Sequence, residues 1–129
     1  MNDFERRIFE LTNAERQKHG LANLIWSNKL TISARAHSLD LAESNTFSHT
    51  GSDGSSPEQR IHRTKTAIRF LGENISGGRN SPEAAIKDWM DSAGHRANIL
   101  NMDAVYLGVG AIYEEVSRFR YYVTQIFGS

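Results

Sequence analysis

Two imidazoles and one carboxylate, His49, His95 and Glu73, stand in this chain in settings that invite a chemical reading. They occur in Phe47-Ser48-His49-Thr50, Gly72-Glu73-Asn74-Ile75 and Gly94-His95-Arg96-Ala97-Asn98-Ile99-Leu100. Each lies in a break between patterned segments, so folding can gather all three at one polar pocket. A neutral imidazole donates a nitrogen lone pair and a carboxylate offsets cationic charge. The set therefore suits a divalent metal such as zinc, or acid-base chemistry. The spacing is long, unlike a histidine pair one helical turn apart, and leaves both chemistries open. The structural alternative makes Glu73 an acceptor that ties a strand to the helical layers. A buried carboxylate without such partners costs several kcal/mol or takes up a proton. On either reading, removal of Glu73 is expected to destabilise the fold.

Other polar side chains have simpler roles. Ser48, Ser76 and Ser92 lie in no Gly-x-Ser-x-Gly elbow and beside no visible base and orienting acid, so serine hydrolysis has little support. Ser92 reads as the cap of a short helical turn. Tyr122 can donate a hydrogen bond into the pocket from the last strand, or pack as aromatic strand residues do. Asn74, despite the acceptor pattern Asn74-Ile75-Ser76, reads as organising a turn. His19, His37 and His62 lie among polar neighbours in helical patterns and read as surface or helix-end groups. Arg96 is expected to bond carbonyls at the end of the preceding helix. Trp26 and Trp89 fill the core or line the pocket edge.

The elements that carry these residues are marked by local chemistry. Asn2 followed by Glu5 resembles a capping box, and Phe4, Ile8 and Leu11 form the stripe of a first helix closed by Gly20. After the extended Leu24-Ile25-Trp26, Ser27 caps a second helix with Leu30, Ala34, Leu41 and Ala42 inward, fraying near Ser44-Asn45. Ser48 to Ser56 is a loop rich in Ser, Gly and Asp. Ser56-Pro57-Glu58 and Ser81-Pro82-Glu83 each start a helix. Ala67 to Leu71 reads as a strand entering the Gly-Glu-Asn-Ile segment. Tyr106–Tyr113 and Phe119–Phe127 form a hairpin. The polar-poor alternation of Val109, Ala111 and Tyr113 with Gly108, Gly110 and Ile112 implies a sheet covered by helices on both sides.

A chain of 129 residues fits one domain, here residues 1–129, with enough buried surface for a core. The absence of cysteine removes thiol catalysis, cysteine-ligated zinc and disulfides. Lys+Arg and Asp+Glu number 15 each, which gives no electrostatic reason to expect nucleic acid as a partner. No apolar run approaches a transmembrane segment, and Met1-Asn2-Asp3-Phe4-Glu5 lacks the pattern of a secretory signal peptide.

Five motifs in order, Phe47-Ser48-His49-Thr50, Gly72-Glu73-Asn74-Ile75, Trp89-Met90-Asp91-Ser92, Gly94 to Leu100 and Tyr122 to Phe127, resemble the CAP superfamily. That superfamily comprises cysteine-rich secretory proteins, antigen 5 and pathogenesis-related 1 proteins. The resemblance is strongest to its cysteine-free bacterial SCP-like branch, and includes Thr12-Asn13-Ala14-Glu15-Arg16. It implies an α+β fold, a three-layer α-β-α sandwich with a central antiparallel sheet, and an extracellular or cell-surface location. It also implies a cleft in which His49 matches the family's first histidine and Glu73 its first acid. The second acid's position holds Ser92, with Asp91 adjacent, and the second histidine's position holds Tyr122. His95 belongs to the bacterial Gly-His-Arg motif. The cleft candidates are thus His49, Glu73, His95, Asp91, Ser92 and Tyr122, with His49, His95 and Glu73 as metal ligands. The expected role is a binding or interaction module for a divalent metal, an apolar ligand or a surface protein partner. A metal-assisted hydrolase and a sterol or lipid carrier are the alternatives.

Overall fold

A computed structural model describes residues 1–129. Helix α1 (Asp3–Lys18) opens on the expected capping box: the Asn2 side chain accepts from Glu5 N–H, and the Glu5 carboxylate accepts from Asn2 N–H. Strand β1 (Ile25–Trp26) leads into α2 (Asn28–Ser44), capped by Ser27 and ended by Asn45 in the left-handed region. Helices α3 (Pro57–His62) and α4 (Pro82–Met90) begin where Ser56-Pro57 and Ser81-Pro82 stand, each with its serine as a side-chain cap. Between them runs β2 (Phe70–Gly77). The short α5 (Ala93–Ile99) precedes the hairpin of β3 (Tyr106–Tyr113) and β4 (Tyr121–Gly128).

The strands form one sheet in the order β1-β3-β4-β2. The three long strands are antiparallel, and the two-residue β1 joins the edge parallel to β3. Sequence reasoning places a strand at Ala67 to Leu71 and a break at Gly72 to Ile75. The strand in fact begins at Phe70 and contains that break. A strand covered on both faces needs no alternation when its polar side chains find partners, and Glu73, Asn74 and Ser76 are all buried.

Helices cover both faces, as the patterning implies. On one side Leu107, Val109, Val123 and Phe127 meet Ile8 of α1, Ala85, Ile86 and Trp89 of α4, and Ile99 of α5. On the other, Leu30 and Ala34 of α2 and Ile61 of α3 pack on Ile126, while Leu41 and Ala42 pack on Ile75 and Tyr122. Helix α2 lies directly on β3 because Gly108 and Gly110 present no side chain there. A Cβ at Gly108 would collide with the backbone of Leu30 and Thr31, and one at Gly110 with that of Ala34 and Arg35. Ser38 Oγ donates to Gly110 O at 2.8 Å, closing the contact.

The buried Glu5 binds the layers together. Its carboxylate accepts Arg35 Nη2 at 2.6 Å and Nε at 2.9 Å from α2, and Ala111 N–H at 3.1 Å from β3. Burial acts to raise its pKa, but the Arg35 fork and the amides of Asn2 and Ala111 outweigh this and lower it.

Candidate functional site

Strand β2 is the sheet's free edge, and its two central polar residues point to opposite layers. Glu73 faces the α2–α3 side. Its side chain is 2% exposed and accepts hydrogen bonds from two residues, with a third close by. Oε1 bonds His49 Nδ1 at 2.8 Å, and Oε2 bonds Arg60 Nη2 of α3 at 3.1 Å. His37 Nε2 of α2 lies 3.9 Å from Oε1. The Arg60 guanidinium is also held by Ser55 O at 2.9 Å through Nη1. The carboxylate is thus both ion-paired and hydrogen-bonded, which is what its burial requires.

His49 rides on the loop after α2, and that loop is built to be rigid. His37 Nε2–H donates to Ser48 O at 2.8 Å, Thr50 N–H donates to Ser48 Oγ, and Ser52 bonds Asp40 through both its amide and its hydroxyl. Gly51 N–H donates to Ser55 O at 2.8 Å. The consequence is a defined tautomer. With Nδ1–H donated to Glu73, His49 carries its lone pair on Nε2, on a side chain that is 52% exposed.

Asn74 faces the other way and fixes α5, which carries His95. Its amide donates to His95 O at 3.1 Å and Gln125 Oε1 at 2.9 Å, and accepts from Asn98 Nδ2 at 2.8 Å. Gln125 passes the chain to Thr12 Oγ1, which donates to Ile8 O. Asn74 is fully buried in this ladder, so it organises a strand and a helix instead of the turn expected of it. Asn98 and Trp89 also donate to Glu73 O and Ile75 O, covering outward carbonyls of the edge strand. The half-buried His95 is held below its ordinary pKa by burial and then by the like charge of His49.

The remaining candidates lie elsewhere. Asp91 caps the exposed end of α4 and pairs with Lys87 at 2.6 Å. Ser92 occupies the N-cap position of α5, but its hydroxyl makes no capping bond. Tyr122 is buried, and its hydroxyl accepts from Phe119 N–H at 3.0 Å, which serves the hairpin. Arg96 Nη1 donates to Met90 O at 3.0 Å, the helix-end carbonyl expected. No group of three or more histidine, aspartate or glutamate side chains is spaced to hold a metal ion. Glu73 in particular does not fit the ligand role, since both its oxygens are engaged by His49 and Arg60. What it fits is the carboxylate that orients a histidine behind a ligand site.

His37 is the residue that sequence reasoning misplaced. It is 1% exposed, and the signal for burial was present, because Leu30, Ala34, His37 and Leu41 share one helical face. Burial, then the neighbouring Arg60, depress its pKa against the pull of Glu73. Above the ordinary histidine value of 6.5 both folded and unfolded chains keep His37 neutral. Below it the unfolded chain takes the proton first, so stability falls, and His95 adds the same sign. Glu5, lowered from 4.5, contributes stability that is lost at still lower pH. Urea midpoints are therefore expected to drop between about pH 7 and about pH 5, with a shallower slope in His37→Gln. A midpoint constant across that window would contradict this account.

The family model described as CAP, the cysteine-rich secretory protein family, matches residues 9–127. The uncharacterised protein YkwD of Bacillus subtilis (strain 168) is 42% identical over 109 residues, which are 84% of this chain and 42% of that protein. An extracellular protein containing a SCP domain from Bacillus anthracis str. Ames superposes with a TM-score of 0.85 at 32% identity, covering 97% of this chain and 40% of that one. NaASP2, crystallised with Zn2+, superposes with a TM-score of 0.65 at 16% identity, over 98% of this chain and 80% of its own. The chain spans about two-fifths of YkwD and of the Bacillus anthracis protein.

Proposed function

The chain belongs to the CAP family of cysteine-rich secretory proteins, and from that premise we propose that it is a one-domain binding module acting outside the cytoplasm. In this reading the surface beside β2 takes a divalent metal such as zinc through two imidazoles. His49 Nε2 and the ring of His95 are the ligands, Glu73 orients His49, and the remaining positions are left to water or to a partner's side chain. The single observation that carries the reading is the 2.8 Å bond from His49 Nδ1 to Glu73, which turns the Nε2 lone pair outward on a rigid loop. That one relative is an extracellular protein and another was crystallised with Zn2+ lends support. No helix of the chain is long and apolar enough to cross a membrane.

A metal-assisted hydrolase has less support, because both oxygens of Glu73, its general base, are engaged by His49 and Arg60, and serine hydrolysis has no nucleophile beside the imidazole. Ser48 Oγ accepts from Thr50 N–H and makes no bond to His49. A lipid carrier has less still: the mostly apolar hollow walled by Phe4, Ile112, Tyr113 and Tyr121 holds only about 150 Å³, below the usual size of a small-molecule site, and the hollow between α1 and α4 sets Leu11, Ile86 and Met90 among the charges of Glu15, Glu83, Lys87 and Asp91.

Zinc titration by calorimetry tests the proposal. His49→Ala and His95→Ala are each expected to weaken binding by about tenfold or more, and Glu73→Gln by about 10–100-fold where it remains folded. Equal zinc affinity in wild type and both histidine variants would overturn it.

A further inference from the structure

The outer face of α2 has no cover within the chain. Along this 17-residue helix the inward positions Leu30, Ala34 and Leu41 are buried, and a surface helix is then expected to be polar on its other side. Instead Ile32, Ala36 and Leu39 stand in solvent at intervals of four and three, with Ile32 58% and Leu39 42% exposed. They form one stripe, because residues three and four apart share a helix face. A groove of about 300 Å³ opens on its flank, lined by Ile32 and Ala36 and by Arg63 and Thr64, so α3 does not close over it.

The stripe ends on two charges that oppose the helix's own dipole. Lys29 stands in the first turn and Glu43 in the last, whereas a helix favours acids at its N-terminus and bases at its C-terminus. Helix α1 follows that preference, with Asp3 and Glu5 first and Arg16 and Lys18 last; α2 reverses it. Neither charge is neutralised within the chain. Lys29 Nζ donates to the Lys65 carbonyl at 3.2 Å, and Glu43 shares a wide hollow with Glu114 and Arg118 without an ion pair. The charges on the flanks of the stripe are already met: Arg35 by Glu5, Arg63 by Asp53, and Asp40 by the amide and hydroxyl of Ser52.

We propose that this stripe is a homodimer contact, in which α2 of a second copy packs antiparallel on α2 across a two-fold axis at Ala36. The stripe is self-complementary about that residue. Lys29 and Glu43 each stand seven positions from it, about 10 Å along the helix, so each lysine meets the partner's glutamate. Ile32 meets the partner's Leu39, and the small Ala36 at the crossing lets the two helices approach closely. Charges that are unfavourable for α2 alone become favourable beside a helix whose dipole runs the other way. An isologous contact of this kind closes at the dimer. One helix pair makes a small interface, so the dimer is weak, dissociating in the micromolar to millimolar range. The contact uses none of His49, His95 and Glu73 and stands on its own observations.

Sedimentation equilibrium of the full chain, from micromolar to millimolar concentration, is expected to show the mass rising from monomer to dimer and no further. Ala36→Arg sets two like charges on the axis and should weaken association by about a hundredfold or more. Lys29→Glu should weaken it by about tenfold or more, because two like-charge contacts replace two attractive ones. Joined to Glu43→Lys, the same change should restore the dimer, since the pairing is then only reversed. All three positions are exposed, and melting temperatures at low concentration confirm that each variant folds. Four results would overturn the proposal: a chain monomeric throughout, a mass that climbs past the dimer, a folded Ala36→Arg variant that dimerises as the wild type does, or a double exchange that associates no more tightly than Lys29→Glu alone.

Discussion

Glu73→Ala is expected to lower the free energy of unfolding by about 3–5 kcal/mol, as read from urea denaturation. The reason is what the substitution leaves behind. The Arg60 side chain is only 8% exposed, and its charge would stay in the interior with neither its counterion nor a full set of acceptors. His49 would also lose the bond that fixes its tautomer. For a small domain such a loss is a large part of the total stability. The ion pair itself is not expected to be the source of stability, because desolvating both charges consumes most of their attraction. A double replacement, Glu73→Leu with Arg60→Met, should therefore recover much of the loss. Glu73→Ala within about 1 kcal/mol of wild type, the scale of an exposed pair, would contradict the burial argument.

A comparable loss is expected from one added methyl group. Gly110→Ala places a Cβ against the backbone of Ala34 and Arg35, and backbone cannot rotate aside as a side-chain end can. Helix α2 would have to lift off β3, loosening Ser38, the Arg35–Glu5 pair and the packing of Leu30 and Ala34 together. The expected cost is about 3 kcal/mol or more, at the upper end of overpacking. Gly94→Ala is the matched control. It lies in α5 with nothing near its Cβ position, and alanine there should be neutral or stabilising by up to about 1 kcal/mol. Thermal melts of the two variants separate close packing from a general intolerance of glycine replacement. A Gly110→Ala protein as stable as wild type would mean that α2 does not sit on β3 as described.

These two sites also mark how far the sequence could be read. Local features were legible. The caps at Asn2, Ser27, Ser56 and Ser81 start the helices expected of them, because a cap depends on residues three or four positions away. The polar-poor alternation along β3 implied a covered sheet, and Gly108 and Gly110 are where the cover touches. What depended on distant partners was not legible. The end of β2 is expected too early because Glu73 and Asn74 break an apolar strand pattern, and nothing in the chain order announces that Arg60, Asn98 and Gln125 will satisfy them. His37 was read from polar neighbours instead of from its helical face. Asp91, Ser92 and Tyr122 were suggested by motif position, but Lys87 and Phe119 decide where the first and last of them point. For the cleft, the motifs' resemblance to the CAP superfamily implied that His49 and Glu73 share one site, as they do. The motifs did not indicate that Arg60 would claim the carboxylate and leave the imidazole as its outward-facing partner.

The imidazole nitrogens report on this arrangement directly. In a long-range ¹H–¹⁵N spectrum near neutral pH, His49 is expected to show a protonated Nδ1 and an unprotonated Nε2. Added zinc should then move His49 Nε2 and a His95 ring nitrogen together, at the same stoichiometry. A His49 protonated at Nε2, or zinc that leaves both rings unmoved, would contradict the claim that Glu73 holds this histidine open to the cleft.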